Sequence, residues 1–105
     1  MRVLVVDNDA DTVRLITTTV DRIGHCSTIV YPDAAAVRPD LHKLDFDAAL
    51  VGYGRQASGL LLTARIRESS KHAEIPVVVI NGRKAFKYYV DENKFEDQVK
   101  RLWKA

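Results

Sequence analysis

Runs of consecutive apolar residues are the sequence feature that most constrains the fold of this chain. RVLVV begins near the N-terminus, DAALVG starts at Asp47, and IPVVVI ends at Ile80. Uninterrupted apolar runs rich in β-branched residues are typical of parallel strands that are covered on both faces, because neither face then carries polar side chains. CSTIVY predicts one more strand, which lies between the first run and the second along the chain. The chain is therefore predicted to contain a largely parallel sheet.

The segments between these runs have helical periodicity. DADTVRLITTTVDRIG carries its apolar residues on one helical face: Val13, Ile16, Val20 and Ile23. Asp9 or Asp11 is the predicted N-cap of this helix and Gly24 its end. ASGLLLTARIRES predicts another helix, whereas PDAAAVRPDLHKL predicts a helix that Pro39 weakens or splits. Strands that alternate with helices in this way indicate βαβ units.

The alternation breaks after the run that ends at Ile80. Asn81 and Gly82 stand between two strand-like runs, and Asn-Gly at such a place favours a type I′ hairpin. We therefore predict a fifth strand, roughly Lys84 to Val90, antiparallel to the fourth, with the fourth helix missing or reduced. DENKFEDQVKRLWKA then predicts a closing helix.

Length and composition narrow the class of protein. The 105 residues suit a single domain, 1-105, and a lone Cys26 excludes an internal disulfide. The apolar runs are far shorter than the roughly 18 residues that a membrane span needs, so we expect a cytoplasmic protein. Three histidines, His25, His42 and His72, are scattered among polar or turn residues, and we expect them at the surface.

Several motifs together resemble the receiver domain of two-component response regulators. VLVVDND, RIGHCSTIV, DFDAALVGYG, SGLLLTARIRES and IPVVVIN follow one another in the order and spacing of that family. The resemblance covers roughly residues 2–81. It implies an α/β, flavodoxin-like doubly wound sheet with strand order 2-1-3-4-5, and a role in phosphorelay signal transduction.

The same resemblance implies a phosphorylation pocket that has lost its chemistry. Receivers accept a phosphoryl group on an aspartate after the third strand, with magnesium held by acids, and a lysine and a hydroxyl stabilise the product. The matching residues of this chain are Asp7 for the first acid, Asn8 for the second, Gly52 for the acceptor, Asn81 for the hydroxyl and Lys94 as the nearest lysine. Glycine has no nucleophile, so the resemblance implies a pseudo-receiver: no enzyme, with no cofactor and no metal. Asp7 and Asp9 are the only weak metal candidates.

Alternatives with other chemistry stay open at this point. A receiver with residual metal or noncanonical phosphoryl binding is one of them. A haloacid-dehalogenase-type phosphohydrolase would use Asp7 as nucleophile and Asp9 as general acid/base, but Asp11 stands where that motif requires Thr or Val. VGYGRQASG lies where flavodoxin-like folds bind cofactors, yet it matches no phosphate-binding motif, and its glycines more simply serve a turn and a helix start.

The C-terminal quarter is the predicted partner surface. Receivers commonly signal and dimerise through this part of the fold, and RKAFKYY combines lysines with an arginine and aromatic residues, of which the arginine and the aromatic residues are types enriched at interface centres. The candidates for protein-partner binding are Arg83, Lys84, Phe86, Lys87, Tyr88, Tyr89 and Trp103. The same residues could instead cover the core or protect a sheet edge, and a homodimer is left open. Residues 81–105 carry seven basic and four acidic side chains, so a nucleic-acid-binding module is an alternative; its candidates are Arg83, Lys84, Lys87, Lys100 and Arg101.

Overall fold

The computed structural model describes residues 1–54 and 58–80 of the chain. Four strands in this part form one parallel sheet in the order β2-β1-β3-β4. The strands are β1 (Arg2–Val6), β2 (Ser27–Tyr31), β3 (Ala48–Gly52) and β4 (Val77–Ile80). This is the predicted doubly wound order as far as the described residues extend.

The helices also lie where the periodicity predicts them. They are α1 (Ala10–Ile23), α2 (Ala34–Val37) and α3 (Ser58–Glu68), with a 3₁₀ turn at Leu41–Lys43. Pro39 lies between α2 and the 3₁₀ turn, so the predicted split is confirmed. Gly24 ends α1 with a φ of 80°, a value that few residues other than glycine adopt readily.

The sheet is buried on both faces, which explains the uninterrupted apolar runs. On one face, Val3 and Val5 of β1 pack with Ile16 and Val20 of α1. On the other face, alternate residues of β1 pack with α2, the 3₁₀ turn and α3: Leu4, Val6, Val37, Leu41, Leu62 and Ile66. Each of these side chains is at most 4% exposed, and burial of one such side chain stabilises a fold by about 1.5–3 kcal/mol.

The predicted features of the C-terminal quarter lie outside the described residues. These are the Asn81-Gly82 hairpin, the antiparallel fifth strand, the reduced fourth helix and the closing helix. Within residues 1–54 and 58–80, no helix combines the length and the hydropathy that a membrane crossing requires.

Candidate functional site

A cleft of about 770 Å³ lies at the carboxyl edge of the sheet. β1 and β3 are neighbours, and Val6 is in register with Val51, so the residues that follow each of them, Asp7 and Gly52, lie side by side. Asp7, Asn8 and Gly52 all line the cleft. The structure therefore brings together three of the residues that the sequence assigns to the degenerate pocket. Parallel α/β sheets bind their ligands at this edge.

The side chain of Asp7 is held by its own turn. Its Oδ1 accepts a hydrogen bond from the backbone N–H of Asp9 at 2.8 Å, an arrangement that fixes the chain between β1 and α1. Its Oδ2 is directed at the neighbouring strand, where a Cβ built on Gly52 would lie 2.7 Å from it. The same Cβ would lie 3.1 Å from the carbonyl oxygen of Val6. Asp7 thus occupies part of the volume that a side chain at position 52 would need.

Asp9 is the N-cap residue of α1, as one of the two predicted alternatives has it. Its backbone is extended, and its side chain makes no capping bond to a backbone N–H. The carboxylate instead accepts a hydrogen bond from the hydroxyl of Thr12 at 2.6 Å. Asp11 lies in the first turn of the same helix, where negative charge interacts favourably with the helix dipole.

Glycines allow close backbone contacts between the end of β3 and the start of α3. The N–H of Gly59 donates to the carbonyl of Tyr53 at 2.7 Å, and the N–H of Tyr53 donates to the carbonyl of Ile80 at 2.6 Å. A Cβ on Gly59 would overlap the carbonyl oxygen of Gly52, and Gly54 has a φ of 73°. Gly59 therefore lies at the start of α3, as predicted, and Gly54 follows β3 with a positive φ, whereas Gly52 is the last residue of β3.

The described lining of the cleft is acidic. It contains Asp7, Asp9 and Asp33, while no Lys, Arg or His is among the lining residues that the structure describes. Asp33 follows β2 and accepts a hydrogen bond from the N–H of Ala36 at 2.8 Å, which caps α2. Within the same part of the chain, no group of three or more His, Cys, Asp or Glu residues could hold a metal ion. These three carboxylates by themselves repel anions, and glycine at position 52 has no side-chain atom that could attack a phosphoryl group.

The remaining sequence-predicted site residues lie outside the described residues. They are Asn81 and Lys94 of the degenerate pocket, and the partner candidates Arg83, Lys84, Phe86, Lys87, Tyr88, Tyr89 and Trp103. Lys100 and Arg101, of the nucleic-acid alternative, lie there too. All these assignments stay predictions.

Among the cleft residues that sequence reasoning missed are Asp33 and Ser58. A signal for Asp33 existed, because it follows the end of β2 and the ends of parallel strands meet at one edge. Ser58 is the first residue of α3, and the start of a helix that follows β3 lies at that same edge.

His72 corrects the expectation that all three histidines lie at the surface. His25 and His42 are exposed, but His72 is only 1% exposed. Its ring stacks on Phe46, and its Nε2 lies 2.8 Å from the carbonyl oxygen of Leu44. The polar neighbours of His72 in sequence gave no sign of this burial, because the covering residues come from the segment before β3.

Comparisons with known proteins agree on the architecture. No family model and no curated protein matches the sequence. A signal receiver domain of a two-component histidine kinase from Clostridium thermocellum has a TM-score of 0.82 at 19% identity, over 99% of this chain and 98% of that one. The chemotaxis response regulator CheY4 of Vibrio cholerae has a TM-score of 0.79 at 14% identity, over 96% and 97%.

A third solved structure extends the comparison to a DNA-binding response regulator. The signal receiver domain of that protein, from Colwellia psychrerythraea 34H, has a TM-score of 0.80 at 13% identity, over 100% of this chain and 99% of that one. At such identities the likeness concerns the fold. The chain therefore has the α/β, flavodoxin-like fold of response-regulator receiver domains.

Proposed function

We propose that this chain is a pseudo-receiver, a regulatory protein-interaction domain that works without phosphotransfer. One observation carries the proposal: the residue at the carboxyl end of β3, beside Asp7 in the cleft, is Gly52. Phosphoryl transfer to a side chain needs a nucleophilic oxygen, and glycine supplies none. The receiver fold itself supports a role in signalling.

The surroundings of Gly52 support the same proposal. Asn8 offers an amide oxygen where a second carboxylate would be needed to hold magnesium strongly. Asp7 and Asp9 are engaged in hydrogen bonds of the β1–α1 turn.

Incubation with acetyl phosphate and magnesium tests the loss of phosphotransfer. Intact-protein mass spectrometry is expected to find no added phosphoryl group, while a receiver that has the acceptor aspartate, treated in parallel, gains one. Beryllofluoride, which mimics an acyl phosphate, is expected to leave the amide spectrum of the chain unchanged. A hydroxylamine-labile adduct on this chain would overturn the proposal.

The partner is proposed to be a protein that binds the C-terminal quarter. Support comes from the basic and aromatic residues of RKAFKYY. Affinity capture from the native cell should enrich a partner with the natural chain and lose it with the combined substitution of Arg83, Phe86 and Tyr88 by alanine. A matched variant with Arg14, Arg22 and Leu61 replaced by alanine should keep it. Equal capture by both variants would exclude the C-terminal surface.

A nucleic-acid-binding function is the second candidate, favoured by the basic excess of residues 81–105. Duplex DNA titrated at two salt concentrations separates it from the first, because contacts to phosphates weaken steeply as salt rises. Salt-dependent binding that disappears when Lys100 and Arg101 are replaced would favour this function.

A further inference from the structure

The Asp7 carboxylate lies close to Gly52, and this proximity has a structural consequence that is separate from the missing phosphoryl acceptor. β1 and β3 are adjacent, and a Cβ at position 52 would meet Asp7 Oδ2 at 2.7 Å, closer than real Cβ atoms approach other atoms. The Asp7 side chain is restrained, because its Oδ1 accepts a hydrogen bond from the Asp9 N–H at 2.8 Å. One carboxylate therefore contacts both the turn before α1 and the end of β3.

The turn that this carboxylate holds is connected to α1. The Asp9 side chain accepts a hydrogen bond from Thr12, which is 8% exposed, and the Asp9 carbonyl accepts the N–H of Val13 at 2.9 Å. A displacement of Asp7 would release the Asp9 N–H at the start of this series of bonds. An unpaired and partly buried N–H is unfavourable, so the displacement carries a cost in stability.

The opposite side of Gly52 is closed as well. The carbonyl of Gly52 lies against Gly59 of α3, where a Cβ would overlap it. The end of β3 therefore has little freedom to move away from Asp7 toward α3. Relief of a contact at position 52 would have to come from Asp7 or from the Val6 carbonyl, which is 3.1 Å from the same Cβ.

We propose that Asp7 is a structural clasp, whose carboxylate takes the place of the side chain missing at position 52 and holds the β1–α1 turn in one conformation. The inference rests on the proposed function, since only a domain without an acceptor at position 52 can give that volume to Asp7. In this role Asp7 is a positioning residue that acts through the Asp9 N–H. The absent side chain at position 52 then becomes a requirement of the present fold.

A double-mutant cycle with Gly52→Ala and Asp7→Ala tests the clasp. Gly52→Ala alone is expected to lower the Tm by about 4–8 °C, the shift that a modest stability loss causes in a domain of this size. In the Asp7→Ala background the same substitution should cause a clearly smaller loss, because only the 3.1 Å approach to the Val6 carbonyl then remains and alanine in a strand is otherwise preferable to glycine. A loss of equal size in both backgrounds, or no loss in either, would overturn the proposal.

Amide hydrogen exchange distinguishes the local loss of one hydrogen bond from a general loss of stability, because a general loss would speed exchange at neighbouring amides alike. Gly52→Ala should speed exchange of the Asp9 N–H by roughly 2- to 10-fold relative to the Val13 N–H, as expected for one lost hydrogen bond. A uniform change at both amides would contradict the clasp. Both measurements are independent of phosphorylation, so an adduct on the natural chain would overturn the proposed function while the cycle still decided the role of Asp7.

Discussion

The imidazole of His72 lies flat against the ring of Phe46, with 4.5 Å between centroids and 10° between planes. A carbonyl oxygen can only accept, so the Nε2 that faces Leu44 O at 2.8 Å carries the ring proton. Nδ1 lies 3.1 Å from the hydroxyl oxygen of Ser69, within hydrogen-bond distance. His72 thus joins the end of α3 to the segment before β3, at the edge of the sheet opposite the cleft.

Replacement of His72 should destabilise the domain strongly. His72→Ala removes a stacked ring and two hydrogen bonds from a fully buried position, and we expect a loss of about 2–4 kcal/mol in the free energy of unfolding. His72→Phe keeps an aromatic ring but leaves the Leu44 carbonyl without its donor, so its loss should be smaller. Urea denaturation measures both. His42→Ala, at an exposed position, is the control and should change stability by less than about 0.5 kcal/mol.

Gly59→Ala should destabilise the protein although alanine is the better helix former. Propensity alone favours alanine over glycine in a helix by about 1 kcal/mol. At this position the new methyl group would overlap the carbonyl oxygen of Gly52, so we expect the sign to reverse and the Tm to fall. Leu60→Ala, at the neighbouring and 48% exposed position, is the control. A rise in Tm for Gly59→Ala would contradict the tight packing of α3 on β3.

Lys71 should make the stability of the protein depend on pH in the acidic range. Lys71 Nζ lies 2.7 Å from Asp45 Oδ1, and this hydrogen bond, with the lysine charge, lowers the pKa of Asp45. A lowered pKa in the folded state stabilises the protein above the ordinary pKa of the carboxyl group, and this contribution is lost as pH falls through the folded pKa. Lys71→Met should therefore be less stable than the natural chain at neutral pH, and the difference should vanish in acid.

NMR titration of the Asp45 carboxyl checks the cause. Its pKa should rise in Lys71→Met, and the difference in stability should shrink in high salt because both side chains are solvent-accessible. Lys43→Met, another exposed lysine of the same region, is the matched control and should leave the Asp45 titration nearer to that of the natural chain. An unchanged titration in Lys71→Met would refute the ion pair.

Tyr31 should make the stability of the protein depend on pH in the alkaline range. Its hydroxyl donates to Asp40 Oδ2 at 2.8 Å, and this bond, together with burial and the charge of Asp40, raises the pKa of Tyr31. A raised pKa in the folded state stabilises the protein below the ordinary value of about 10 and is lost as pH rises through the folded pKa. The difference in stability between the natural chain and Tyr31→Phe should thus be constant near neutral pH and diminish in alkali.

Absorbance titration of the tyrosines tests this directly. Asp40→Asn keeps an oxygen that can accept the hydrogen bond but removes the charge, so it should lower the pKa of Tyr31 toward its ordinary value. If the titration of Tyr31 were the same in both proteins, the charge of Asp40 would not contribute to the shift, which would then rest on the hydrogen bond and burial.

Local patterns were sufficient to predict the elements of the described fold. The apolar run from Val3 to Val6 predicts a strand buried on both faces, and residues on both of its faces are buried. The spacing of Ile16 and Val20 predicts the buried face of α1, and Pro39 predicts the break after α2. These features depend on strand and helix periods of a few residues, so a sequence carries them directly.

The candidate site was predictable only in outline. Asp7 and Asn8 follow β1 and Gly52 ends β3, and because parallel strands end at one edge, the sequence predicts that these residues meet there. It does not predict that the Asp7 carboxylate turns toward Gly52 while it also holds the Asp9 N–H. The orientation of one short side chain depends on the register between β1 and β3, and no local pattern encodes it.

The sequence by itself determined that this chain alternates strands with helices and that no nucleophile stands at position 52. The tertiary structure alone decided that Asp7 occupies part of the volume a side chain at position 52 would need, that α3 packs against the Gly52 carbonyl, and that His72 is buried 28 residues away from its acceptor Leu44. The physical reason is the distance along the chain over which each kind of interaction acts. Periodicity acts between neighbours along the chain, whereas packing and hydrogen bonding in the folded protein act between residues that only the sheet brings together.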